Sequence, residues 1–583
     1  MSLSVVSWTL PVSAGLPLLL ACALCIPGMR GWGTRFLIAA PLPALLTALM
    51  VIGSGMPMVT LDLKWILIGS RLILDDTGQV FLLLTAIIWL SAAMFSANDS
   101  AVVRHRFRFQ LCFLLAMVGN ITVILAADLA SFYGAFALMS FAAYGLIVTN
   151  DDTGTVRAGR IYITLVIIGE VLLFSALVAG AKTTGSPFVA QWQLAAPAAV
   201  TVPLIMLAFG IKLGVIPWHF VLPVTYRAAP YSAVIALGGA MLNAGLLGWL
   251  RFLPLGQVSL PYWGATLIVL GLAASFMGVL LGILQNNPKA LLGYSSVSQV
   301  GLMTSVVGLA LMDHRQWESL YAVLLIYTLH HALAKGALFY AAGFNRARSQ
   351  RIYYWQCFAL VLPALSIAGA PLTTGALAKS SFKAVIAAVP EPWATWFMVL
   401  LPLSSVATSM LLSRFIAMSW PKQGSSNDVS NTTLWGQVLL IVSVVAGVWL
   451  VADIKELQTL SAAMEISSLL ASTWPVFVGV IIVAGADRVL KKFNQSLPLM
   501  PPGDIVVPLE AIIRYTLDQL ATLTRLIGHA WQQFKFRFPA DVATATLQIS
   551  ERTLRSPLSV GILFALIFLG LLLTLGALIR QGL

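Results

Sequence analysis

Residues 208–223 read AFGIKLGVIPWHFVLP, an apolar stretch that places Lys212 five residues before Pro217. Proline lacks the N–H of an interior helical bond and frees a backbone carbonyl, so the stretch predicts a helix broken close to a lysine. An ionisable group at the centre of a membrane helix costs about 2.5–3.5 kcal/mol on insertion scales and by default marks a functional site. The alternative for Lys212 is a structural lysine that snorkels to an interface, against which its central placement argues.

The surroundings fit a membrane. Of 583 residues, 59% are hydrophobic and 9% charged, with a mean hydropathy of +0.92. Globular domains carry about 25% charged residues, so a water-soluble enzyme, a nucleic-acid binder and a disordered scaffold are excluded. A spanning helix needs about 20 apolar residues. Runs that qualify lie near 5–27, 34–55, 78–97, 108–126, 129–149, 160–181, 200–222 and 229–252. The series continues near 262–284, 290–311, 317–343, 353–387, 393–415, 433–453, 470–490 and 557–580, which predicts 16 spans. Runs 200–222 and 353–387 hold Pro217, and Pro363 with Pro371, and are read as broken helices.

The net charge of +13 is then a matter of topology. Loops after odd-numbered spans hold 23 of the 34 Lys and Arg, the opposite side holds 7, and Lys212, Lys335, Lys379 and Lys383 fall inside spans. By the positive-inside rule both termini face away from the cytoplasm of a bacterial, archaeal or organellar inner membrane. No Lys or Arg precedes Arg30, so the first run is expected to be a retained helix rather than a cleaved leader. Cys22, Cys25, Cys112 and Cys357 lie in apolar runs without a second Cys/His pair, and are expected to be small buried hydrophobes rather than metal or redox ligands.

The remaining intramembrane polar groups cluster. Lys379 stands in AGAPLTTGALAKSSF (368–382) after a second break, five spans beyond the first. Corresponding broken helices in two halves mark an inverted-repeat transporter core. Lys383, one turn on, is expected nearer the interface. In HHALAKGALFYAAG (330–343), His331 and Lys335 share a helix face beside His330, a set suited either to a proton relay or to a structural polar cluster. Glu170, in IYITLVIIGEVLLFSAL (161–177), is the one acid placed inside a span. It is read either as the partner of Lys212 or as a group bonded to backbone at a kink. Asn243, His219, Tyr294, Ser295, Ser296, Ser298 and Gln299 could carry water or protons, though singly such residues are more often packing glue. Residues 505–556 differ: Leu509, Ile513, Leu517, Leu520, Ile527 and Trp531 recur at helical spacing opposite Glu510, Arg514, Asp518, Arg525 and His529. That pattern predicts an amphipathic helix lying along a membrane or a neighbouring subunit, or else an ordinary helical linker.

Taken in order, AFGIKLGVIPWHFVLP, RAAPYSAV (227–234), NNPKALLGYSSVSQVG (286–301), HHALAKGALFYAAG and AGAPLTTGALAKSSF resemble the antiporter-like membrane subunits of respiratory complex I, multisubunit cation/proton antiporters and membrane-bound hydrogenases. The resemblance covers roughly residues 60–450. It implies an all-α polytopic protein with two inverted five-helix repeats, broken helices 7 and 12, and a central hydrophilic proton axis. It assigns Lys212 to the first half-channel, His331 and Lys335 to the helix-11 relay, and Lys379 to the terminal carrier. Two positions depart from the family pattern: Ala137 stands where the helix-5 glutamate belongs, and Asn243 where the helix-8 lysine belongs. Glu170, on the neighbouring span, is read as the relocated acid.

The implied organisation is an N-terminal segment (1–105), a first repeat (106–255), a second repeat (256–420), two C-terminal helices (421–495), an amphipathic lateral region (496–556) and a final span (557–583). The implied function is proton translocation in a multisubunit energy-converting complex. Alternatives are a proton-driven subunit of an inorganic-carbon accumulating system and a structural subunit with a degenerate channel. No nucleotide loop, iron–sulfur cysteine set, haem motif or flavin fingerprint occurs, so no cofactor is expected in this chain and any redox centre is expected elsewhere. Expected partners are other membrane subunits, reached partly through 505–556, a peripheral redox or zinc-protein module, and the bilayer, with no nucleic acid.

Overall fold

The computed structural model describes residues 3–508 except 57, 64–68, 100, 101, 103, 151, 195–199, 345, 348, 424–429, 453–465, 496, 497 and 506, and beyond them Tyr515 and Gln519. Apart from those few residues, the amphipathic region lies outside the described residues, as does the whole of the final predicted span.

The first four long helices are α1 (Leu3–Cys25), α2 (Leu42–Ser54), α3 (Asp76–Ser96) and α4 (Arg106–Leu125). They are followed by α5 (Leu129–Ile147), α6 (Thr153–Thr184), α7 (Thr201–Leu213), α8 (Val221–Ala228), α9 (Tyr231–Ala236) and α10 (Asn243–Phe252). The chain continues through α11 (Pro261–Ile283), α12 (Pro288–Met312), α13 (Trp317–Gly343), α14 (Gln350–Ala368) and α15 (Thr374–Ile386). It ends with α16 (Trp393–Ser419), α17 (Asn431–Ala452) and α18 (Ile466–Lys492). Among the described residues 13 helical stretches are long and apolar enough to cross a membrane, and Asn431–Gly447 is a shorter apolar helix. The protein is a polytopic all-α membrane protein.

Burial sorts the helices. In α3, 94% of the spanning window is enclosed by protein, whereas in α18 only 17% is. α12 and α13 are enclosed like α3, and together with α9 and α10 they form the middle of the molecule. Lipid offers no hydrogen-bond partners, so polar groups buried in these helices must find them within the protein. α11 lies against α12 along a stripe of small residues: a Cβ at Gly264, Gly271 or Gly278 would meet the carbonyl oxygen of Gly308, Gly301 or Tyr294 respectively. Such stripes let membrane helices approach backbone to backbone.

Several acids outside the spans serve as helix caps. Asp75, Asp128 and Asp152 each accept a backbone N–H at the start of α3, α5 and α6, satisfying donors that the first turn leaves free. Asp75 also forms a two-pronged ion pair with Arg251 at the end of α10, tying the N-terminal helices to the first half. Burial raises the Asp75 carboxyl, but the charge and hydrogen bonds of Arg251 outweigh it and hold the group below the usual carboxylate range.

The structure corrects several expectations. Pro363 does not interrupt a helix; it lies inside α14, and the break falls at Gly369 (φ +87°). The first break likewise falls at Gly214 (φ +68°), three residues before Pro217. In both cases a glycine in the left-handed region ends the helix, a conformation that costs other residues roughly 1–2 kcal/mol. Cys22 and Cys25 face outward rather than into a core. A hairpin of β1 (Val59–Leu63) and β2 (Ser70–Leu74), unforeseen in the sequence, packs its Arg71 over the ring of Phe188 at 4.5 Å.

Candidate functional site

The two breaks place lysines in similar backbone settings. Lys212 occupies the last turn of α7. The Lys379 ammonium, on α15, reaches back across its break to donate to the carbonyl oxygen of Ala368, the last residue of α14, at 2.8 Å. A helix C-terminus carries about half a negative charge on its unpaired carbonyls, so the Lys379 ammonium meets the favourable end of a half-helix dipole, and Lys212 stands on the last turn of another.

Around Lys212 the partners are hydroxyls. Its Nζ donates to Ser140 Oγ at 3.2 Å and Tyr162 OH at 3.4 Å, while Tyr162 OH donates to the Ser140 carbonyl at 3.1 Å. The ammonium stands over the rings of Phe136 and Tyr162, at 5.5 and 5.9 Å from their centroids. Lys212 is half-buried and lines a cavity of about 50 Å³ shared with Ser140, Tyr162, Glu170 and Tyr226. Such a volume accommodates a few water molecules. Glu170 is buried, with Ser140 beside its carboxylate. It interacts with Lys212 through space without forming a close ion pair. The structure therefore brings Glu170 and Lys212 to one cavity. Ala137 is fully buried in α5, one turn before Ser140.

In the second half the polar groups form a row. Lys335 is fully buried and donates to the carbonyl oxygen of Leu292 on α12 at 3.1 Å. His331, one turn earlier on α13, lies within electrostatic reach of Lys335, with neither ring nitrogen hydrogen-bonded. His330 shares a hydrogen bond of 2.9 Å with Thr374 on α15, and Ser366 on α14 touches both. Lys379, one turn further along α15, completes the row by donating to Ser405 on α16 at 3.0 Å as well as to Ala368. It opens onto a cavity of about 230 Å³ whose lining includes Lys383, Ser380 and Ser472 and, among the described residues, no acidic side chain. Lys383 is exposed. A second buried chain crosses the same helices, from Tyr327 OH to Gln299 Oε1 at 2.8 Å and from Gln299 Nε2 to Thr408 Oγ1 at 3.2 Å.

Two expected positions stand apart from these sets. Asn243 is buried; its Nδ2 donates to the carbonyl oxygen of Gly239, one turn earlier in the π turn Leu237–Met241, at 2.7 Å, while its Oδ1 accepts no hydrogen bond from the described residues. His219 is fully buried in the short 3-10 turn after Pro217, its ring against Phe220. Sequence reading passed over Ser140, Tyr162, Thr374, Ser366 and Ser405, because a lone hydroxyl in a span carries no signal beyond helix packing. The available cue was position: each stands within a turn or two of a break, or faces one.

Residues 126–410, which contain both breaks, match the family described as NADH:quinone oxidoreductase/Mrp antiporter, transmembrane. Hydrogenase-4 component B of Escherichia coli is 30% identical over 244 residues, covering 40% of this chain and 36% of that protein, so the match spans about a third of that relative. A Na(+)/H(+) antiporter subunit of Alkalihalophilus pseudofirmus is 24% identical over 401 residues, covering 65% of this chain and 79% of that one. Among solved structures, a chain of the Mrp complex from Dietzia sp. DQ12-45-1b shares the fold with a TM-score of 0.70 at 18% identity, over 94% of this chain and 62% of that chain. Through residues 126–410, with their two glycine-broken helices and buried lysines, the chain belongs to the NADH:quinone oxidoreductase/Mrp antiporter transmembrane family.

Proposed function

We propose that the protein translocates protons as an antiporter-like subunit of a multisubunit energy-converting complex. The observation that carries this reading is the pairing of Lys212 and Lys379, each held at the C-terminal end of a broken half-helix and each facing a cavity. A lysine so placed exchanges its proton with water in the cavity on one side and with a buried relay on the other. In the first half Glu170 and Lys212 share the cavity, so a proton gained by one changes the affinity of the other. In the second half Lys335, His331 and His330 pass charge along α13 to Thr374 and Lys379. The chain itself is taken to hold no redox centre. It acts with other membrane subunits, and a peripheral module, redox or zinc-bearing, supplies the driving reaction. It sits in an inner membrane with both termini on the non-cytoplasmic side.

The test is proton uptake by vesicles containing the complex with Glu170→Gln. Near-complete loss of uptake, comparable to that of Lys212→Ala, is expected; uptake at the wild-type rate would overturn the assignment of Glu170. A second reading is favoured by buried Ala137 and by Asn243, whose Nδ2 donates one turn back to Gly239: the first half is a structural remnant and protons use the second half alone. Under it Lys212→Ala transports normally while Lys379→Ala does not. Co-purification distinguishes the modules, a dehydrogenase-like or hydrogenase-like partner against a zinc-site protein.

A further inference from the structure

A groove of about 500 Å³ runs between the first turns of α14 and α17, away from both lysine sites. Its lining is polar at Arg351 and Asn431 and apolar at Ile352, Trp355, Leu434, Trp435 and Val438. Arg351 is exposed and forms no ion pair among the described residues. Beside it, β3 (Arg346–Ala347) pairs with β4 (Lys422–Gln423) so that Arg346 and Lys422 are direct partners in register. Gln423 Nε2 then donates to Gln350 Oε1 at 2.8 Å, bringing the strand pair against the start of α14. Among the described residues no acidic side chain lines the groove. Trp435, in the lining, is 64% exposed, and Tyr354, at the start of α14, is 62% exposed. Tryptophan and tyrosine collect at the membrane–water boundary, where an amphipathic ring has one apolar and one wet side.

An occupant of this groove must be anionic at one end and apolar along its length. Free phosphate would leave the apolar lining of the groove bare, whereas a glycerophospholipid satisfies both parts at once. Basic pockets between membrane helices bind anionic headgroups in this way. We propose that the groove between α14 and α17 is a binding site for an anionic phospholipid, its phosphate on Arg351 and its acyl chains along Trp355, Leu434, Trp435 and Val438. The site is independent of the proton pathway and stands whether or not the chain translocates protons.

The experiment is native mass spectrometry of the full-length chain exchanged from delipidating detergent into equimolar phosphatidylglycerol and phosphatidylcholine. Wild type should retain phosphatidylglycerol about fivefold over phosphatidylcholine, the discrimination one basic side chain supplies near an anionic surface. Arg351→Ala should lose that preference and Arg351→Lys should keep most of it. Trp435→Ala should weaken retention of both lipids. Arg351→Ala with wild-type preference would overturn the proposal, as would displacement of phosphatidylglycerol by millimolar inorganic phosphate. A partner subunit shielding Trp435 from lipid in the intact complex would overturn it too.

Discussion

The two halves of the molecule break a helix by one device and surround the break with different chemistry. Each break is a left-handed glycine, Gly214 or Gly369, and each puts a lysine at the carbonyl end of a half-helix. Lys212 then meets hydroxyls and shares a small cavity with a buried acid. Lys379 meets a carbonyl and a serine, opens onto a larger cavity with no acid among its described lining residues, and follows a row that includes two histidines. The backbone solution is thus common, and what compensates the cation is not. A carboxylate can neutralise an ammonium outright, whereas carbonyl and hydroxyl dipoles only solvate it, so the halves should respond differently when a partner is removed.

The largest difference is expected from the lysines. Lys379→Ala should reduce proton translocation by at least about 100-fold, the lower end for loss of a positioned proton-transfer group. Lys212→Ala should match it if both halves conduct. Proton flux in reconstituted vesicles decides, and equal wild-type flux in both variants would remove the parallel altogether.

The arginines that close the two halves offer the next contrast. Arg251 makes a two-pronged pair with Asp75, while Arg414 donates one bond to the carbonyl oxygen of Gln285. Arg251→Ala leaves a largely enclosed carboxylate unpaired and should cost about 3–5 kcal/mol. Arg414→Ala should cost about 1 kcal/mol. Thermal unfolding in detergent measures both. The Asp75 carboxyl is held low in the folded state, so its contribution is complete above the unfolded value of about 3.9 and is lost as pH falls through the folded one. The wild-type melting temperature should therefore drop below about pH 4 more steeply than that of Asp75→Asn.

A smaller effect separates the glycines. A Cβ on Gly369 would lie 2.9 Å from Lys379 Cδ, and one on Gly214 would lie 2.8 Å from Leu222 Cγ. Both alanine variants should lose about 1–2 kcal/mol of stability from the left-handed backbone. Gly369→Ala should also slow transport, because it displaces the ammonium itself, and equal transport in the two would break the contrast. Smallest of all, Ser140→Ala and Ser405→Ala should each cost about 1 kcal/mol at the lysine they serve. That appears as a change of roughly fivefold in flux, larger for Ser405 because no acid stands by among the described residues.

The class of protein and its ionisable centres were legible in the chain. Long apolar runs have one stable environment, and a lysine or glutamate inside such a run is conspicuous because little else there is charged. The place of each break was less legible. Pro217, Pro363 and Pro371 drew attention, yet α14 runs through Pro363, and both helices end at glycines with Pro217 and Pro371 a few residues beyond. A proline removes one bond that a packed membrane helix can forgo, whereas a left-handed residue redirects the chain.

Sequence alone determined that the protein spans a membrane many times, that two helices are interrupted, and that Lys212, Lys335, Lys379 and Glu170 are exceptional. Composition and local backbone chemistry suffice for these. Only the tertiary structure decided that Glu170 and Lys212 face one cavity, that Lys379 returns to the end of the preceding half-helix, and that Asn243 donates one turn back to Gly239. These depend on which faces of distant helices meet, and a polar residue in a span is silent about its partner until the packing supplies one.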